Sequence, residues 1–145
     1  MSDPSYALQI AMAAALLGDA GVTGLVGQNV FDDLSAPDSA YPRVCIGDDQ
    51  VIGETNTCFD PSEIYSTVHI WAANSADAAD ARLKAKQIAA QVRRVLAQTL
   101  TLVDHAMTSA LFHDSRFMID GDETDADGRV AHGVLTFHYR TSPTA

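Results

Sequence analysis

The chain has 145 residues, with 19 Asp and Glu against 9 Lys and Arg, for a formal net charge of −10. Its 47% apolar and 19% charged residues are those of a globular protein and exclude a disordered, collagenous or coiled-coil chain. The length suits one domain over residues 1–145 that folds without a disulfide or metal staple, and so few cations exclude a broad grip on nucleic-acid phosphates.

A helix is predicted over residues 4–17. Asp3 is a good N-cap and Pro4 suits the first helical position. Leu8, Met12, Ala15 and Leu16 supply apolar positions, and Gly18 ends the run. With so few charges, this helix is expected to lie against protein on more than one side. The apolar run from Tyr6 to Gly18 includes Gln9 and falls short of the ~18 residues a membrane helix needs. Ser2, Asp3 and Pro4 precede it in place of the basic start of a secretory leader. The expectation is a soluble, intracellularly made protein with no membrane partner. Residues 19–26 read as a short helical turn, interrupted by Gly21 and Gly24 and closed by Gly27.

Residues 29–31 read as a short strand. A loop follows over residues 32–42, marked by Pro37, Asp38, Ser39 and Pro42. Residues 43–48 are rich in β-formers and predict a strand. Residues 49–61, with Gly53, Asn56 and Pro61, read as an irregular or partner-ordered loop with a distorted strand inside. The clearest strand is residues 63–73. Ile64, Ser66, Val68 and Ile70 point one way, and Tyr65, Thr67, His69 and Trp71 the other. Bulk on both faces implies that both are covered, one by helices and one by protein or a partner.

Asn74 and Ser75 are expected to cap a long helix over residues 76–97. Ala78, Ala81, Ala85, Ile88, Val92 and Val95 form one apolar stripe. Asp77 and Asp80 near its start, and Arg93 and Arg94 near its end, suit the helix dipole. The basic cluster Arg82, Lys84, Lys86, Arg93 and Arg94 therefore reads as the solvated face and C-terminal end of this helix. Residues 108–119 predict a strand, 120–128 an acidic turn and 129–141 a last strand, together a hairpin. Leu135, Phe137 and Tyr139 share one face of that strand; His132, Val134, Thr136 and His138 share the other. The fold class is α+β: an antiparallel or mixed β-sheet with an N-terminal helix and one long helix packed on one face.

Motifs for chemistry are sparse. Asp120, Asp122, Asp125 and Asp127 offer oxygen ligands, but Thr124 and Asp125 break the EF-hand pattern and the flanks are strands. A solvated turn is expected there, with no metal site and no cofactor. His132 and His138 are six residues apart on one strand, ~20 Å at ~3.3 Å per residue, so they cannot share a metal. His105 and His113 have no local partner. Cys45 and Cys58 form no CxxC pair and read as two reduced thiols. There is no Gly-x-Ser-x-Gly elbow, GxGxxG or Gly-Lys-Ser/Thr. No catalytic residue is assigned, and an enzyme is not expected.

The pattern as a whole resembles the tail terminator, or tail completion, proteins of long-tailed phages, close to the version in bacterial gene transfer agents. The resemblance covers nearly the whole chain. It runs through Ala7-Leu8-Gln9, Leu25-Val26-Gly27, Asn29-Val30-Phe31-Asp32 and the loop to Tyr41-Pro42. It continues through Val44-Cys45-Ile46-Gly47 and the strand Ser66-Thr67-Val68-His69-Ile70-Trp71-Ala72. Ala85-Lys86-Gln87-Ile88-Ala89 and Val92-Arg93-Arg94-Val95-Leu96 follow, then Asp127-Gly128-Arg129 leading into His132-Gly133-Val134-Leu135-Thr136-Phe137. Their order and spacing carry the resemblance.

Such a resemblance implies a structural virion protein with no catalytic motif. It implies a ring, usually a hexamer, that caps the head-proximal end of the tail tube and stops its growth. Its partners would be other copies of itself, the tail tube protein and the head–tail connector or stopper, with DNA only passing through the lumen. The particle would be assembled in the bacterial cytoplasm. Contacts are expected from the two loops and the last hairpin, at Asp32, Leu34, Tyr41, Arg43, Asp49, Glu54, Phe59 and Arg129. The competing readings are another head–tail adaptor or stopper component, a tube subunit, and a small ligand- or metal-binding domain. The long helix between strands argues against a tube subunit.

Overall fold

The structure is a computed structural model that describes residues 3–37, 40–54, 60–74, 80–125 and 128–144, with residues 120–125 and 128–129 described by backbone alone. Helix α1 spans Pro4–Leu17. The Asp3 side chain accepts from the Ser5 backbone N–H at 2.8 Å, and Gly18 closes the helix by donating to the Ala14 carbonyl at 2.9 Å. These bonds satisfy terminal groups that a helix leaves without internal partners. Helix α2, Ala20–Val26, is capped by Asp19, which accepts from Val22 N–H, and ends at Gly27 with φ of 61°. Only glycine adopts that φ at no steric cost.

Strands β1 (Val30–Asp32), β2 (Arg43–Gly53) and β3 (Ser62–Ala73) come next. Helix α3, Ala81–Leu96, separates them from β4 (His105–Asp125) and β5 (Gly128–Pro143). The five strands form one sheet in the order β1-β2-β3-β5-β4. β1 is parallel to β2; every other pairing is antiparallel. The fold is α+β, as expected, with a mixed sheet.

The period-2 pattern of β3 holds. Ile64, Ser66, Val68, Ile70 and Ala72 are buried, and so are Leu135, Phe137 and Tyr139 beside them on β5. α1 packs against β1 and β2, and α3 against β3, β5 and β4. α3 contributes Ala81, Ala85, Ile88, Ala89, Val92, Val95 and Leu96 to the core. α1 contributes Leu8, Met12 and Leu16, each fully buried and each worth about 1.5–3 kcal/mol on leaving water. Its other side is open within the subunit: Tyr6 is 65% and Ile10 52% exposed. The chain itself thus covers α1 with the sheet on one side and with α2 and α3 on another, and leaves the Tyr6–Ile10 face bare.

Several element boundaries differ from the sequence expectation; β5, for example, spans Gly128–Pro143 and not 129–141. β2 does not end at residue 48 but continues to Gly53, pairing Gln50, Val51 and Ile52 with Tyr65, Ile64 and Glu63. A register shift between Ile46 and Asp49 hides this continuation from a simple alternation. β4 likewise starts at His105 and runs to Asp125, so the backbone of 120–125 is strand and only residues 126–127 separate it from β5. The register with β5 shifts at three places along this strand. α3 is described from Ala81, with Asp80 as N-cap accepting from Leu83 N–H at 3.1 Å. Asn74, the expected cap, accepts from Ala81 N–H at 2.9 Å; residues 75–79, including Ala76 and Ala78, lie outside the described residues. Finally, β1 lies one residue later than expected.

The two long hairpins leave the sheet at opposite ends. The β2–β3 connection lies where Ser62 meets Thr141, and the β4–β5 connection where Ala73 meets Val130. Beyond Gly47, β2 is exposed from Asp48 to Gly53, so this hairpin reaches past the cover of the helices.

Candidate functional site

The face of the sheet turned away from the helices carries a line of stacked groups. Register places Arg43 of β2, Trp71 of β3, His132 of β5 and Met118 of β4 side by side. The Arg43 guanidinium lies 4.8 Å from the Tyr41 ring centre and 5.2 Å from that of Trp71. Trp71 and His132 stack flat, 3.8 Å apart and 6° from parallel. His132 Nε2 and His69 Nδ1 are 2.7 Å apart, so one ring donates and the other accepts. His69 Nε2 in turn lies 3.9 Å from an Asp33 carboxylate oxygen. Arg43 is only 4% exposed and Cys45 fully buried, and the Tyr41 ring and Ala40 carbonyl of the preceding loop meet the Arg43 guanidinium. The backbone permits the arrangement at Gly47, where a Cβ would stand 2.6 Å from the His69 ring.

Further along the same face, Tyr65 meets His138 at 4.7 Å and His113 edge-on at 5.7 Å between ring centres. Arg140 Nη2 donates to both Glu54 oxygens at 2.6 and 2.7 Å, and its Nη1 lies 3.6 Å from Glu63. This clamp fastens the far end of the β2–β3 hairpin to β5.

On the helix side, a groove of about 180 Å³ runs between α3 and β4. Phe112, Phe117 and Leu135 are among its lining side chains. Arg93 stands 4.1 Å from the Phe112 ring centre and Lys86 5.7 Å from that of Phe117, so two cations rim an aromatic trough. The basic cluster is thus the exposed face of α3, as expected. Arg94 reaches the other way, to the α2 cap Asp19, and its hydrogen bond holds that carboxyl below the usual range.

Charge is uneven elsewhere too. Partial burial, then the neighbouring charges of Asp3 and Asp48, push the Asp49 carboxyl up. Asp3 is held low chiefly by the Ser5 hydroxyl. Among the described residues no group of three or more His, Cys, Asp or Glu is placed to hold a metal. The side chains of the acidic segment 120–125, and Asp127, lie outside the described set. Among the described residues no single helix is long and apolar enough to cross a membrane. What the geometry offers is packing surface: a bare apolar helix face, a trough, and two unlike sheet edges.

Residues 10–142 match the family model of tail completion protein gp17. The chain belongs to that family. Membership makes it a structural protein of the phage tail. Among solved structures, a chain of the "Virion of native gene transfer agent (GTA) particle" shares the fold at a TM-score of 0.81. It is 22% identical, with 98% of this chain and 99% of that chain covered. No curated protein matches.

In this tail completion protein the expected contact residues fall into separate places. Asp32, Leu34, Tyr41 and Arg43 gather at the β1–β2 side of the sheet. Asp32 is engaged within the subunit: it accepts from Gln9 Nε2 at 2.7 Å and from Leu34 N–H at 2.9 Å. Leu34 is 98% exposed. Arg43 is buried between its two rings, and Tyr41 is half-buried. Asp49 is exposed farther down β2, and Glu54 is bound to Arg140. Arg129, placed on β5 by its backbone, stands at the opposite end, and Phe59 lies outside the described residues. Sequence reasoning missed the His69–His132 pair and the α3–β4 trough. Strand alternation places each histidine on the correct face, but only the β3–β5 register brings them together.

Proposed function

We propose that this tail completion protein is a tail terminator. Copies assemble into a closed ring, a hexamer, on the head-proximal end of the tail tube. The ring stops tube polymerisation and presents the surface that joins the head connector. It turns over no substrate. DNA passes through the lumen, and a net charge of −10 disfavours DNA adhering to the wall. The likeness in fold to a chain of a gene transfer agent virion supports a place in a virion, of a phage or of a gene-transfer particle.

The observation that carries the reading is the family match over residues 10–142. The sheet supplies a physical reason for assembly. One edge is the three-residue β1, and the other is the 21-residue β4. Long open edges invite pairing or packing with another chain. Two unlike edges suit a head-to-tail contact, and such contacts close into rings when the rotation closes. Asp32, Leu34, Tyr41, Asp49, Glu54, Phe59 and Arg129 are proposed to face neighbours, the tube or the connector, and Arg43 to hold its loop for them.

The test is solution mass by light scattering over a range of concentrations, with and without the tail tube protein. A discrete ring, alone or on the tube, is expected. A strict monomer that ignores tube and connector proteins would overturn the reading in favour of another adaptor. Shortening the connections within 33–40 or 55–60, which spares Tyr41 and Glu54, is expected to abolish tail completion and leave the fold intact. Residues 49–53 must be kept, because they are strand.

A further inference from the structure

We propose that the α3–β4 trough receives the 33–37 turn of a second copy of this chain, with Leu34 as the plug. This deepens the ring reading and rests on it. Leu34 is the most exposed large apolar side chain described, at 98%. It follows directly on the edge strand β1, held out by a turn in which Asp32 accepts from its backbone N–H. Two exposed acids are its neighbours in chain and register: Asp33, which precedes it and lies 3.9 Å from His69 Nε2, and Asp48, two residues past Ile46, the β2 partner of Asp32.

The trough has the converse character. It is lined by Phe112, Phe117, Leu135 and Ala90, and by Lys86 and Arg93, both exposed. An apolar knob flanked by carboxylates meets an apolar trough flanked by cations. Complementary charge of this kind fixes partner and register more than it adds raw affinity. The occupant cannot be the same chain's own turn. β1 and β4 are the two edges of a five-stranded sheet, four spacings of about 4.8 Å apart. The contact therefore joins one edge of a subunit to the opposite edge of the next, which is the repeating contact a ring requires.

The experiment pairs cysteines across the proposed contact. In a Cys58→Ser background, a variant carrying Leu34→Cys with Ala90→Cys, oxidised with a disulfide reagent and run without reductant, is expected to give a ladder of linked subunits that dithiothreitol collapses. Neither single variant should give it. Leu34→Lys alters a side chain that touches almost nothing in its own subunit, so the fold is kept. It is expected to raise the concentration for half-assembly about tenfold or more, by setting like charges together. Lys86→Glu with Arg93→Glu should do the same, and adding Asp33→Lys should restore part of the loss. Rings that form normally in L34K, with no ladder from the cysteine pair, would overturn this contact and leave the ring reading standing. A wild-type chain that is monomeric at every concentration, with and without tube protein, and gives no ladder, would overturn both.

Discussion

The Tyr139 hydroxyl donates to the Leu96 carbonyl at 2.7 Å, joining the middle of β5 to the last residue of α3. Both residues are fully buried. The carbonyl is one of those a helix end leaves without an internal partner, and this bond brings it a donor out of reach of water. Tyr139→Phe removes the donor and leaves the shape. It is expected to cost about 1–2 kcal/mol in urea unfolding with an unchanged m-value.

The same residue sets an alkaline limit. Burial pushes the Tyr139 hydroxyl above its ordinary value of 10.0. The unfolded chain releases that proton near pH 10 while the folded chain keeps it. The folded state then binds more protons, so stability falls as pH rises past about 10. Tyr139→Phe should flatten this decline relative to its own neutral-pH stability, as read from unfolding midpoints between pH 8 and 11.

Arg43 serves as packing as much as charge. Its planar guanidinium fits between the Tyr41 and Trp71 rings. Arg43→Lys keeps the charge and loses the flat stack, for an expected loss of about 1–2 kcal/mol. Trp71 is the sole tryptophan, so its emission should shift in the same variant.

Gly47→Ala is expected to disturb the histidine pair from the far side. The new Cβ would stand 2.6 Å from the His69 ring, which must move and so strain its bond to His132. A cost of about 1–2 kcal/mol is expected. Histidine side-chain NMR signals of both rings should shift together. Movement of only one would separate the pair.

Asp49→Asn should stabilise the isolated subunit at neutral pH. Its carboxyl is pushed up, so the folded state binds the proton more tightly than the unfolded chain does. Stability therefore falls as pH rises from the ordinary value of 3.8 through the raised one, and the deficit persists above it. Asp49 is exposed, so solvent screening keeps the gain below about 1 kcal/mol. Thermal unfolding of both proteins at pH 3 and pH 7 checks the sign: the difference should vanish at the lower pH.

Elements governed by local chemistry were legible in the sequence. Asp3-Pro4, Gly18 and Gly27 mark the ends of α1 and α2, because capping and positive φ act within a few residues. The buried face of β3 follows from alternation alone. Legibility failed where distant strands decide. Acidic residues and glycines over 120–128 carry turn chemistry, yet pairing of Asp120, Thr124 and Asp125 with β5 keeps this stretch in the sheet across a register shift. Gln50-Val51-Ile52 are good β-formers, but the bulge before Asp49 breaks their alternation with Arg43–Ile46. At the start of α3, Asn74, Ser75, Asp77 and Asp80 are all capping types, and local sequence does not rank them. The site was the least legible part. His69 and His132 are 63 residues apart, and the trough joins α3 to an edge strand. Both depend on register, which no local periodicity encodes.

The twelve consecutive pairs between β3 and β5, from Ser62–Thr141 to Ala73–Val130, run without a bulge from one projecting hairpin to the other. Their hydrogen bonds lie perpendicular to the strands. A pull between the two tips therefore loads this seam in shear, with all twelve pairs sharing the force. A pull across the sheet would peel them one at a time. The subunit is mechanically a tie bar, strongest along the line that connects whatever grips its two ends.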